Sequence, residues 1–451
     1  MKEMSNIRSY IENHLKDNGY KLQQFSEIVD INVGTLSAII RGTRLISMNQ
    51  LDLITSAMGL EQGCFYDMYG VEYFIDSAPH WRRLEPFIYR CAELDKLDII
   101  QQVITHVTDD HSYIDELFEV AEDLYNKGMK QAALILYECV SECEKYQHSE
   151  RLAMCQYRIF LISMGSDQKE NRRIISKFEP FIERLDQDYQ LDAIKDLANA
   201  YWGLHEWNKM KDLSQELERR ANLAMKQTKK RGSKSQYPFF VYKAYANLLF
   251  SNYCDYAKNY KEALKYTDIY EKIIENEAKV YADYEVLHKF REWAKFNKCL
   301  YKVMMGRKEV IPEYIAYIEH SEEEILPAMV KILQSANRYQ YDIDEVLIRF
   351  KAQIDAKFSD ARSQGRYTVQ SWYYRRVVLF YELAFYYFNK KWFELGAVSL
   401  LTSLELSIFV KDDVLISKCV NLYGQFKEHL TNQDHDKYKI LVDNIYIEAS
   451  L

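Results

Sequence analysis

The chain has little that breaks a helix. Its 451 residues include only six prolines and fourteen glycines; both residue types interrupt helices, so their scarcity points to a nearly all-α fold. It has no Cys-x-x-Cys pair. The eight cysteines (64, 91, 139, 143, 155, 254, 299 and 419) are scattered and read as small buried hydrophobes in a reducing compartment, not as a disulfide framework or zinc site. Long apolar runs are missing too. VVLFYELAFYYF (377–388) is interrupted by Glu382 and is too short to span a bilayer, and the opening MKEMSNIRSY lacks the apolar segment of a signal peptide. The expectation is a soluble, cytoplasmic protein with no membrane partner.

Catalytic and metal signatures are equally scarce. The ten histidines show no HExxH or comparable ligand spacing, and neither GxSxG nor a glycine-rich phosphate loop occurs. QDHDK (433–437) lacks the glycine and terminal glutamate of a calcium loop. No metal, cofactor or catalytic group is expected, and the chain is read as not an enzyme. A net charge of -8 argues against a general polyanion binder.

What the chain does contain is helical periodicity from end to end. Its length suggests two or three units, and a hydrophobic fraction of 48% supports packed cores. The 37 tyrosines suit helix–helix seams and the walls of a polar-ligand groove alike. In residues 7–20, Ile7, Tyr10, Ile11 and Leu15 form one stripe ending at a glycine. Leu22, Phe25 and Val29 face inward on a second short helix. Asn32 stands where an N-cap belongs, followed by Leu36 and Ile39, and Arg41-Gly42 closes that helix. Ser47 opens another, with Leu51, Ile54 and Met58 inward.

The 41 residues YKLQQFSEIVDINVGTLSAIIRGTRLISMNQLDLITSAMGL (20–60) resemble, without a gap, the helix-turn-helix of the lambda-repressor, xenobiotic-response (XRE) type. Phe25, Ser26, Val29, Ile31, Thr35-Leu36-Ser37, Ile39 and Gly42 carry the match, continued by Leu51, Ile54 and Met58-Gly59-Leu60. The chain departs at Ala38 and Ile40, where the family favours polar or charged residues, and at Asp30, where it favours glycine. The resemblance implies binding to double-stranded promoter DNA through Lys21, Gln23, Asn32, Val33, Thr35, Ser37, Ala38, Arg41 and Arg44. Asn32, Val33, Thr35 and Ala38 would face base edges, with Val33 or Ala38 able to touch a thymine methyl, and the flanking residues would meet phosphates or edges. Residues 1–70 carry six Lys or Arg against eight Asp or Glu. A head that neutralises so few phosphates binds poorly alone, so the reading depends on a dimer.

Residues 61–86 mix aromatics, two glycines and two prolines and read as the junction between units, with 71–85 as the linker. From 86 to 451 an internal repeat is visible. In 117–140, Leu117, Val120, Ala121 and Leu124 precede a Gly128 turn, then Ala133, Tyr137 and Val140 follow. Large–small–large positions around a short turn suit a stacked antiparallel helix pair. Ile194, Leu197, Ala198 and Tyr201 with Trp207 make a second copy. Phe250, Ser251 and Cys254 with Tyr260, Ala263 and Tyr270 make a third, with looser copies at 286–315 and 381–401. These resemble tetratricopeptide (TPR) repeats, so the expected fold is a small lambda-repressor-like helix-turn-helix domain (1–70), a linker (71–85) and a TPR-like right-handed α-solenoid (86–451). In TPR register Glu122, Asn199 and Asn252 share one inward position, with Tyr125, Trp202 and Asp255 one turn further. Asparagine has both a donor and an acceptor for the backbone of an extended ligand. The basic run 226–238 reads as a solvated loop.

An XRE-type head before a TPR-like body is similar to the RRNPP peptide-pheromone receptors (the NprR, PlcR, Rgg, Rap and arbitrium-receptor group). The resemblance implies a cytoplasmic quorum-sensing regulator of a Gram-positive bacterium or its phage. It would bind a short signalling peptide on the concave TPR surface and DNA as a homodimer. The alternative it leaves open is a Rap-like protein that sequesters or modulates a signalling partner without DNA output.

Overall fold

The computed structural model describes residues 6–107, 113–147, 149–165, 167–227, 235–277, 285–320, 322–355, 369–410 and 412–448; among them there is helix and no strand. The chain divides into two compact units, Met1–Met164 with Lys169–Gln190, and Gly165–Gln168 with Leu191–Leu451.

The first unit begins with α1 (Ile7–Asp17), α2 (Leu22–Ile28), α3 (Val33–Ile40) and α4 (Met48–Ala57). Each start is set by local chemistry. Asn6 accepts from the Ser9 amide at 2.9 Å ahead of α1, and Asn32 accepts from the Gly34 amide at 2.9 Å ahead of α3. Ser47 and Gln50 cap one another's backbone at α4. The α2–α3 turn passes through Asp30 at φ 53°, a left-handed conformation in which aspartate is tolerated and glycine is easier. Phe25, Val29, Leu36, Ile39, Leu51 and Ile54 bury the inner faces.

The stretch read as a linker is mostly helix. α5 (Tyr66–Gly70) runs directly into a π-turn over Val71–Ile75, closed by the Asp76 amide on the Val71 carbonyl at 2.9 Å. Its aromatics build a core instead of a spacer. Tyr69 and Tyr73 stack at 4.2 Å between ring centroids, and the Tyr69 hydroxyl donates to the Ile46 carbonyl at 2.9 Å. The Ile46 amide in turn donates to the Tyr73 hydroxyl at 3.1 Å. Both backbone groups of Ile46, between α3 and α4, are thus held from α5 and its π-turn. Gly70 is needed there because a Cβ would lie 3.0 Å from Val103 and 3.4 Å from Phe87.

α6 (Trp81–Glu93), α7 (Leu97–Val107), α8 (Ile114–Asn126), α9 (Lys130–Cys143), α10 (Glu150–Ser163) and α11 (Gln168–Phe178) continue this unit. One buried apolar cluster runs from Ile7 to Ile159, and Arg90 of α6 pairs with Asp52 of α4 at 2.9 Å. The head is therefore packed on the first helical pairs, and only residues 76–80 between α5 with its π-turn and α6 are non-helical.

α12 (Gln187–Gly203) spans the division between the units. The second unit continues with α13 (Trp207–Gln227), α14 (Phe239–Tyr256), α15 (Tyr260–Glu277), α16 (Glu285–Met304), α17 (Ile311–Ile318), α18 (Glu322–Tyr339), α19 (Asp344–Arg349) and α20 (Lys351–Asp355). α21 (Val369–Asn389), α22 (Phe393–Phe409), α23 (Asp413–Phe426) and α24 (Asn432–Glu448) complete it. Consecutive helices pair through one recurring turn. After α8 the left-handed residue is Gly128, after α12 it is His205, after α14 Lys258 and after α21 Lys391, with φ of 83°, 60°, 57° and 63°. The next residue's amide then reaches back to the helix: Met129 to the Leu124 carbonyl, Glu206 to Tyr201, Asn259 to Cys254 and Trp392 to Tyr387, all at 2.8–2.9 Å. This is the Schellman closure, which satisfies carbonyls the helix end leaves over. Three of the four turns use a side-chain-bearing residue where glycine is preferred, which blurs the repeat in the sequence.

Candidate functional site

On the head, α3 buries Leu36 and Ile39 and turns its other faces outward. Asn32, Val33, Arg41 and Arg44 are exposed and Thr35, Ser37 and Ala38 half-buried; Lys21 and Gln23 at the start of α2 are exposed as well. Val33 is 42% exposed, a cost in water that a methyl contact would offset. Arg44 reaches the Thr35 hydroxyl at 3.4 Å and Arg41 the Ser37 carbonyl at 3.3 Å, so both guanidiniums lie back along the helix. The nine residues share one helix–turn–helix element, with small and apolar groups on α3 and cations at its margins.

The three positions read as equivalent in the helical pairs are equivalent in space along their helices. Glu122, Asn199 and Asn252 each lie four residues before the last residue of α8, α12 and α14 and six before the left-handed turn residue. Their surroundings differ. Glu122 accepts two bonds from Arg158 of α10, both at 2.8 Å, and a third from the Tyr137 hydroxyl at 2.6 Å. The Arg158 guanidinium also lies 4.4 Å from the centre of the Tyr125 ring. Burial works against the Glu122 carboxylate, but Arg158 outweighs it and holds the carboxyl below its ordinary range. Glu122 and Tyr125 thus share the Arg158 guanidinium. Asp255 is likewise taken up by Lys331 at 2.8 and 3.0 Å. Trp202 is 40% exposed. Asn252 is half-buried, with no side-chain hydrogen bond among the described residues.

Asn199 lines a cavity of about 440 Å³ between three first helices of the second unit. α12 contributes Lys195, Asp196 and Asn199. Gln236 and Tyr237 precede α14, which adds Val241, Tyr242 and Tyr245, and α16 brings Glu285, Val286, Lys289, Phe290 and Trp293. The Tyr245 hydroxyl donates to Asn199 Oδ1 at 2.9 Å, and burial raises the pKa of that phenol, keeping its proton on. With its oxygen so engaged, Asn199 keeps its amide N–H donors without an acceptor among the described residues.

Behind the cavity, buried Asp192 accepts from the Tyr242 hydroxyl at 2.6 Å and from the Gln236 amide at 3.0 Å. Lys195 donates to Gln236 Oε1 at 3.1 Å and lies 3.3 Å from Asp196 and 3.7 Å from Asp192. Desolvation opposes its charge, but the two carboxylates prevail and hold its pKa above the ordinary lysine value. Lys289 pairs with Glu285 at 2.8 Å.

Of the residues lining this cavity, register singles out Asn199 and does not single out Lys195, Tyr245 or Trp293. Lys195 sits one turn before Asn199 and was open to the same register argument. Trp293 comes from a helix nearly a hundred residues away, and no local pattern announces it. The basic run at 226–238 lies largely outside the described residues. No group of three or more potential metal ligands occurs among the described residues. No helix there is long and apolar enough to cross a membrane.

No family model matches the chain, and no curated protein matches it. Among solved structures it is similar to the crystal structure of Bacillus thuringiensis PlcR in complex with the peptide PapR7 and DNA. The identity is 14%, covering 77% of this chain and 99% of that one, with a TM-score of 0.26.

Proposed function

We propose that the chain is a peptide-responsive transcriptional regulator of quorum-sensing type, acting in the cytoplasm. It binds promoter DNA as a homodimer through α2 and α3, and a short peptide on the inner helices of its TPR-like body. The observation that carries this reading is the outward face of α3. Asn32, Val33, Thr35 and Ala38 form a compact reading edge, flanked by Lys21, Arg41 and Arg44 for the phosphates. The cavity at Asn199 supports the peptide half of the reading, because a ready amide donor beside an aromatic wall suits a peptide carbonyl and its side chain.

Coupling between the two follows from linkage. Peptide binding favours one arrangement of the body, and that arrangement changes how two heads are spaced on DNA. A head with more acidic than basic residues makes spacing decisive, since one head alone gains little from phosphates.

The test is selection of random duplexes by the full-length protein, followed by anisotropy titration of the selected and scrambled duplexes at several salt concentrations. A selective, salt-sensitive complex is expected. Arg41→Ala and Arg44→Ala should weaken all sequences and flatten the salt dependence, whereas Thr35→Ala should relax selectivity. The acidic head also favours a second reading, a Rap-like interaction protein that modulates a signalling partner. Failure to enrich any duplex, with peptide extract or without it, would overturn the first reading and favour that alternative.

A further inference from the structure

The cavity between α12, α14 and α16 has a composition that discriminates among peptide side chains. Its wall is aromatic and already assembled. Phe290 and Trp293 meet edge to face at 5.2 Å, and Tyr245 meets Phe290 at 6.2 Å and 81°, so entry of a ring requires little reordering. Its charges are paired in place. Lys195 is held by Asp192 and Asp196, and Lys289 by Glu285.

A cationic side chain entering the cavity would approach the Lys195 ammonium, which already occupies the face of Tyr237 at 5.1 Å. An anionic one would approach Asp196. Each charge on the wall already has a partner, so an ionised side chain would give up its hydration against the rings with no free counter-charge to replace it. The volume of about 440 Å³ is near the small end of ligand sites, room for one bulky residue and not for a whole peptide.

We infer that this cavity anchors one aromatic side chain of the peptide ligand, with the Asn199 amide donating to the carbonyl of that same residue. The inference rests on the peptide-receptor reading above and narrows it to a residue class. Asn199 and the ring wall then act together: the amide fixes the backbone, and the half-buried Tyr245 and Trp293 select what hangs from it.

The test uses the full-length protein and N-acetyl-4-fluorophenylalaninamide as probe, followed by fluorine NMR line broadening. Broadening at millimolar probe is expected. N-acetyltryptophanamide should reverse it, while N-acetyllysinamide and N-acetylaspartic acid amide should not. Trp293→Ala should weaken probe binding at least fivefold and Asn199→Ala about threefold, with circular dichroism and melting curves establishing that each variant is folded. Should Trp293→Ala fail to fold, Val286→Asp, at a half-buried wall position, replaces it with the same expected loss. Equal displacement by the charged amides, unchanged broadening in the folded variants, or no broadening at all would overturn the inference. Duplex binding is measured on the same preparation. If it persists while the probe fails, the anchor is wrong and the regulator reading stands; if it too is absent, the reading itself falls.

Discussion

Glu122 in the first unit and Asn199 in the second occupy the same place on the first helix of their pairs, yet they serve different ends. Glu122 is locked by Tyr137 and by Arg158, whose guanidinium lies over the Tyr125 ring. Asn199 has only the Tyr245 hydroxyl on its oxygen and faces a cavity. The difference lies in the neighbouring pair. α10 brings an arginine to Glu122, whereas α14 and α16 bring rings to Asn199. A register position in such a repeat is therefore a location, and the following pair decides whether it closes into structure or stays open to a ligand.

The largest effect should come from breaking the closed site. Glu122→Ala leaves the Arg158 guanidinium, 13% exposed, without its carboxylate, and should cost about 3 kcal/mol in urea unfolding, the range for a broken buried pair. Asn199→Ala removes one bond to a tyrosine at the cavity edge and should cost about 1 kcal/mol. Equal costs would erase the contrast between the two units.

Acid should act on the first site in the same direction. The Glu122 carboxyl is held below its unfolded value, so its contribution is complete above about pH 4.3 and is lost as pH falls through the folded value. The stability gap between the wild type and Arg158→Met should be widest at pH 7 and shrink towards pH 3, as read from thermal melts. A gap that does not depend on pH would mean the pair is held by packing alone.

Smaller effects distinguish the head from the rest. Tyr73→Phe leaves the buried Ile46 amide without its acceptor and should cost about 1–2 kcal/mol. It should also raise hydrogen exchange at Ile46, without reaching α14. The turns give a comparison of opposite sign. Gly128→Ala puts a side chain into a left-handed position and should cost about 1 kcal/mol, while Lys391→Gly relieves one and should gain about 0.5–1 kcal/mol by melting temperature.

Much of the fold was legible because it depends on local periodicity and on caps. Leu36, Ile39 and Asn32 mark α3 without reference to the rest of the chain, and Leu117 through Val140 mark one helical pair. Residues 71–75 were not legible, since a glycine beside aromatics reads as a break until Val103 and Phe87 are known to press against Gly70. The repeat was blurred where His205, Lys258 and Lys391 stand in for glycine. The candidate site was half legible. Asn199 follows from register, but Trp293 on α16 and Arg158 on α10 reach their partners from the next pair, and nothing local foretells that meeting.

Joint reading of DNA by two copies of α3 can be measured by hydroxyl-radical footprinting of the full-length protein on its selected duplex. Two protected segments are expected, related by inverted symmetry and separated by about one helical turn or a multiple of it. Both should vanish together in Arg41→Ala. A single protected segment, or uniform cleavage at protein concentrations that saturate binding, would contradict it.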